Sequence, residues 1–190
     1  METVTTLPRS GPLVLPRGRA LIRDDLKALP DDGHRYELID GTLIVSPAPR
    51  PRHQTVVLEF AVVLRDSCPD HMRVFVAPLD VALASDTLLQ PDVLVSRRTD
   101  VTDDNLPVAP LLAVEVLSPS TRRIDLTVKR SRYEEAGCAS YWVVDPDEPS
   151  IIAWELHDGV YVEVAHVTGE ERFTTEHPYP ITFSPSDLLD

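Results

Sequence analysis

The stretch LLAVEVLSPSTRRIDLTVKRSRYEEAGCASYWVVDP, Leu111 to Pro146, decides how this chain folds. Leu111–Leu117 is apolar except for Glu115, the composition of a strand buried on both faces. Asp125 to Ala136 reads as a helix closed by Gly137, a usual left-handed cap residue. Tyr141–Val144 is again a strand. Two residues stand out against this pattern. A carboxylate at Glu115, inside a buried strand, is costly unless paired or bound to a metal. On a wheel of about 100° per residue, Leu126, Lys129, Tyr133 and Ala136 share one stripe, so Lys129 is predicted to point at the sheet. A lysine there calls for a carboxylate partner. Plainer roles stay open for both: Glu115 satisfied by an arginine or by helix amides, Lys129 snorkelling to solvent.

Outward from this core, Gln90–Ser96 reads as a strand opening at Pro91, with Asp92 at its start. Arg73–Leu83 reads as extended, and Val101–Pro110 as a polar loop. His53–Asp66 is predicted helical from the spacing of Val56, Val57, Phe60, Ala61 and Leu64. YELIDGTLIV, Tyr36 to Val45, is a hairpin across Asp40-Gly41, and Ile151–Leu156 with Val160–Val167 a second one across Asp158-Gly159. Residues 22–29 suit a short helix, residues 1–20 a flexible arm, and the C-terminal tail is proline-rich and acidic. Residues 21–190 are expected to form one domain. From His53 the order helix, strands, helix, strand predicts an α/β or α+β layer around a central sheet.

The net charge of -13 is unevenly placed. Glu134–Asp190 holds thirteen acids and one base, a net of -12; Met1–Tyr133 holds eighteen acids and seventeen bases, a net of -1. Within Pro119–Arg132 five bases (Arg122, Arg123, Lys129, Arg130, Arg132) face one acid, Asp125: either a local basic patch able to meet phosphate or a solvated helix face. Sixteen arginines stand against two lysines, Lys27 and Lys129, a bias that makes each lysine a candidate for a compact point charge. Cys68 and Cys138 have no metal-type spacing, and no apolar run approaches the roughly 18 residues that span a bilayer. A cytoplasmic protein without a membrane partner is expected.

Asp92 and Glu115 on neighbouring strands would make a hard-oxygen site for a divalent cation such as magnesium. Phosphodiester hydrolysis uses such a cation to acidify a water and offset phosphate charge, and a lysine to add positive charge or position the water. Glu37, in the first hairpin, is a possible third acid or an exposed strand residue; His53, opening the first helix, is a further candidate beside the plainer role of cap. Six scattered histidines argue against zinc, and neither a phosphate-binding glycine loop nor a nucleophile elbow is present.

Three segments, YELIDGTLIVSPAP (Tyr36–Pro49) with His53 after it, QPDVLV (Gln90–Val95) and the Leu111–Pro146 stretch, resemble the PD-(D/E)XK nuclease superfamily, and within it the Uma-type branch of restriction endonucleases. The resemblance covers about residues 22 to 190. It implies a restriction-endonuclease-like mixed central sheet flanked by helices, with additional β-hairpins. The superfamily's usual lysine place, two after the strand acid, holds Leu117; the branch takes its lysine from the following helix, where Lys129 matches. The resemblance therefore implies Asp92, Glu115 and Val116 as metal ligands and Lys129 as the catalytic cation, with Glu37 and His53 as further site residues. It implies magnesium, with manganese as a substitute, and DNA as substrate, in a chain that could act as a homo-oligomer. Two other readings remain: a non-catalytic module of this fold that binds nucleic acid or a protein, and a hydrolase of a small phosphate ester.

Overall fold

The computed structural model describes residues 15–30 and 32–189. After helix α1 (Arg23–Leu26), strands β1 (Arg35–Ile39) and β2 (Thr42–Ser46) form the first hairpin. Asp40 and Gly41 turn it with φ of 50° and 73°, the two-residue turn whose twist suits paired strands. Gly41 is also sterically required, because a Cβ there would stand 2.6 Å from Ala20 Cβ. Helix α2 (Pro51–Asp66) starts two residues before His53, since Pro51 fits a first turn whose N–H has no helical partner. Val56, Val57, Phe60 and Leu64 form its buried stripe.

Strands β3 (Met72–Val76), β4 (Val81–Ala84), β5 (Thr87–Leu89), β6 (Val93–Arg97) and β7 (Leu112–Val116) follow. The extended run expected at Arg73–Leu83 is therefore divided, and the strand expected from Gln90 begins only at Val93. Prolines explain the second break. The β6–β7 ladder stops at Val93↔Val114; continued on that register it would set Pro91, which has no N–H to give, opposite Val116. Helix α3 (Arg122–Ile124), a π-turn (Asp125–Lys129) and helix α4 (Arg130–Glu135) run on without interruption, and Gly137 closes them with φ 80°. Strands β8 (Ser140–Asp145), β9 (Ser150–His157), β10 (Val160–Thr168), β11 (Phe173–Thr175) and β12 (Ile181–Phe183) complete the chain.

The large sheet has the order β10-β9-β8-β7-β6-β3. Only β7 and β8 run parallel, as their helical crossover requires. A second sheet, β2-β1-β5-β4, is antiparallel. On one face of the large sheet, Val114, Val116 and Trp142 pack against α2 and against Phe173, Tyr179, Ile181 and Phe183. The tail is thus core-forming: its apolar residues dock on α2, and the Tyr179 hydroxyl donates to the Leu64 carbonyl at 2.7 Å. On the other face, Ala113, Leu117, Tyr141 and Val143 meet Tyr133 of α4 and Ile39 and Leu89 of the small sheet. Glu115 alternates with Ala113 and Leu117, so it projects on this second face, beneath the helix and the small sheet.

Of the expected arm, residues 1–14 lie outside the described residues. Further along it, Leu15 packs against the cluster of Leu21, Leu38 and Leu88, and Arg19 pairs with Asp25. Among the described residues no helix is long and apolar enough to cross a membrane.

Candidate active site

Four acids, a lysine, an arginine and a histidine from separate parts of the sequence meet in one cleft of about 730 Å³. Glu37 comes from β1, Asp92 from the link into β6, Glu115 from β7, and Asp125 with Lys129 from the two ends of the π-turn. Each is at most 4% exposed. Arg35 enters from the start of β1, and His53 from the first turn of α2.

Lys129 is the hub. Its Nζ stands 3.0 Å from Glu37 Oε1, 3.1 Å from Glu115 Oε1 and 3.5 Å from Asp125 Oδ1. Burial alone would lower its pKa, but Glu115, Glu37 and Asp125 outweigh burial and keep the ammonium charged. Glu37 Oε1 also accepts the Gln90 amide at 2.8 Å, which ties β1 to the β5–β6 link.

Asp92 is anchored from three sides. Oδ1 accepts from Arg35 at 2.8 Å; Oδ2 accepts the Val116 amide at 2.8 Å and lies 3.2 Å from His53 Nε2. The carboxylate thereby takes the place of the strand that ends at Pro91. Val116 sends its carbonyl toward the same side as its N–H, as strand geometry dictates. Burial would raise the Asp92 pKa, yet His53 and the Arg35 charge hold it well below the usual carboxylate range. Glu115 behaves oppositely: burial pushes it well above that range, more than Lys129 draws it down. Burial raises Asp125 as well.

The structure brings all five candidate side chains, Glu37, His53, Asp92, Glu115 and Lys129, to this cleft, and Val116 lines it too. Two members are absent from the sequence reading. Arg35 could have been found, since it alternates with Glu37 on one face of a strand. Asp125 could also have been found, since it lies one turn before Lys129 and about 40° from it on the same wheel. In the structure Asp125 is buried with Lys129, and Leu126 is half-buried.

The basic patch expected at Pro119–Arg132 does not form. Arg122 pairs with Asp145, Arg130 lies over the Trp154 ring at 5.0 Å, Arg132 meets Glu135 and Asp40, and Lys129 is internal. Only Arg123 is left without a partner among the described residues. The acidic third does not line the cleft, for every residue lining it lies between Gly33 and Lys129.

The residues fit a hard divalent cation by charge and donor type. With all four carboxyls ionised, as a bound cation would favour, Glu37, Asp92, Glu115 and Asp125 would face the two fixed cations Lys129 and Arg35 with a formal excess of -2. The donors are oxygen with a single imidazole, a set suited to magnesium or manganese rather than zinc. Among the described residues no three His, Cys, Asp or Glu side chains are grouped as a ready cage, because their oxygens face Lys129 and Arg35.

A family model described as "Putative restriction endonuclease" matches residues 23–188. No curated protein matches the chain. Among solved structures, the crystal structure of "a putative nuclease belonging to DUF820" from Anabaena variabilis ATCC 29413 is similar in fold. Its TM-score is 0.73 at 20% identity, covering 89% of this chain and 97% of that one. With a mixed sheet that frames this cleft and a family match over nearly its whole length, the chain belongs to the Uma2 family.

Proposed function

We propose that this chain is a metal-dependent endonuclease that hydrolyses phosphodiester bonds, with DNA as its substrate. The observation that carries the reading is a buried ammonium, Lys129, fixed between Glu37 and Glu115 at the base of an open cleft lined by four carboxyl groups. The family description supports nuclease chemistry, and DNA is the substrate that description favours. Asp92, Glu115 and the Val116 carbonyl would hold magnesium, with manganese as a substitute. A bound cation acidifies an attacking water and offsets phosphate charge. Lys129 presents its ammonium toward the cleft, where it stabilises charge developing on the phosphate. Arg35 and His53 keep Asp92 ionised and oriented. Arg50, exposed on the cleft rim, is placed to meet a neighbouring phosphate.

One observation favours a second reading, a non-catalytic module that binds nucleic acid: both Asp92 oxygens already have partners. A cleavage assay separates the two. Single- and double-stranded DNA and RNA are incubated with magnesium, with manganese and with chelator. The enzyme cuts DNA with metal and stops with chelator. Retention of labelled DNA without cleavage under every condition supports the module instead.

A further inference from the structure

Lys129 has one carboxylate neighbour that the proposed chemistry leaves unused. Asp125 is 1% exposed, lines the cleft, and its Oδ1 receives no hydrogen bond. Such an orphaned buried acceptor calls for an explanation. Among the described residues the cation facing it is Lys129 Nζ, at 3.5 Å, beyond the 3.1 Å contact that the same ammonium makes with Glu115. The helix is shaped to keep the pair together. In an α-helix residues four apart are offset by about 40°, at roughly 100° per residue. The π-turn Asp125–Lys129 nearly removes that offset and aims both side chains into the cleft. The turn is also pinned, since the Tyr141 hydroxyl donates to the Asp125 carbonyl at 2.7 Å.

We infer that Asp125 is a positioning residue that takes over the Lys129 ammonium when Glu115 turns to a divalent cation. This rests on the metal-dependent reading above and deepens it. Glu115 is in direct contact with Lys129 and cannot give the same oxygen fully to both Lys129 and a metal ion. An ammonium displaced from Glu115 with no other acceptor would stand buried beside a divalent cation, an unfavourable pair. Asp125 removes that conflict: its unpartnered oxygen lies within a small side-chain motion of Nζ, and Glu37 holds the ammonium at the cleft throughout. Loading of the site and readiness of the lysine are then coupled.

The lysine count makes the test direct. The chain holds only Lys27, exposed and paired with Asp24, and Lys129. A lysine-selective nitrogen NMR spectrum of the full chain therefore has one internal control and one reporting signal. Titrating magnesium chloride should move the Lys129 signal and leave Lys27 in place. In Asp125→Asn the Lys129 signal should stay near its metal-free position. Magnesium affinity should fall about 10- to 100-fold, as on loss of an outer partner of a metal site. Asp125→Glu, which keeps the carboxylate, should restore much of both effects. In a Lys129→Met background, Asp125→Asn should leave affinity unchanged, because no ammonium needs an acceptor. An equal loss of affinity in that background would make Asp125 a metal ligand and overturn the positioning role. Magnesium binding that leaves the Lys129 signal still, or moves it equally in Asp125→Asn, overturns this inference while leaving the metal reading intact. Absence of magnesium binding to the wild-type chain removes the metal reading and this inference with it.

Discussion

At the scale of residues, Lys129 carries the largest expectation. Three buried carboxylates surround it, so removing its charge leaves them uncompensated. Lys129→Met should lower stability by about 3 to 5 kcal/mol, as for other broken buried ion pairs, measured by urea denaturation at neutral pH. Its cleavage rate should fall about a hundred- to a thousandfold under single-turnover conditions at saturating magnesium. Lys129→Arg should not restore that rate, because a planar fork does not fill the place of an ammonium. Wild-type cleavage by Lys129→Met would remove Lys129 from the chemistry. Asp92→Asn tests the other end of the site. Magnesium at a hundredfold excess over its dissociation constant should stabilise the wild-type chain by about 2.7 kcal/mol and the variant far less. Equal thermal shifts in both would count against Asp92 as a ligand. Lys129 and Glu115 were legible in the sequence because each breaks a hydrophobic pattern. Arg35 breaks none, and its partnership with Asp92 spans 57 positions.

At the scale of elements, the first hairpin and the helical crossover hold the site together. β1 carries both Arg35 and Glu37, so its turn has functional weight. Gly41→Ala sets a Cβ against Ala20 at a φ of 73° and should cost about 1 to 3 kcal/mol. Chemical denaturation measures that cost, and an unchanged midpoint would show that the hairpin tolerates rearrangement. Tyr133 gives a contrasting expectation. Its ring stacks on Tyr141 with centroids 5.4 Å apart, while its buried hydroxyl has no partner. Tyr133→Phe keeps the stacking and removes the orphaned hydroxyl, so stability should hold or rise by about 1 kcal/mol. A clear loss would mean that the hydroxyl has a partner in solution, such as a water. The elements most legible in sequence were those with local signals: the Asp-Gly hairpins, the α2 stripe, the apolar β7. The short strands β4, β5, β11 and β12 lacked such signals, because three or four residues cannot display a period.

At the scale of the whole molecule, charge is partitioned. The acidic third builds β8 to β12, while the cleft is lined wholly by the nearly neutral part of the chain before it. Neutralising exposed acids of β10 and its following turn, as in Glu163→Gln with Glu170→Gln, should therefore change DNA binding little. Arg50→Ala, on the cleft rim, should weaken DNA binding and reduce the salt slope by about one. Binding isotherms across a salt series read both effects. The opposite ranking would place the DNA on the far side of the molecule.

The sequence by itself determined the strand, helix and strand of the Leu111–Pro146 stretch, the two Asp-Gly hairpins, and that Glu115 and Lys129 are charges set against a hydrophobic pattern. These follow from periodicity and from the cost of burying charge, both local properties. Only the tertiary structure decided the rest. It set where the ladder ends at Pro91, so that the Asp92 carboxylate stands in for a strand at Val116. It buried Asp125 beside Lys129 at the two ends of a π-turn and left Leu126 half-buried. It also distributed the arginines of the crossover among separate partners, dissolving the patch that their spacing suggested. Each of these depends on groups brought together from distant parts of the chain, where burial and neighbouring charge, rather than sequence spacing, determine which side chain pairs with which.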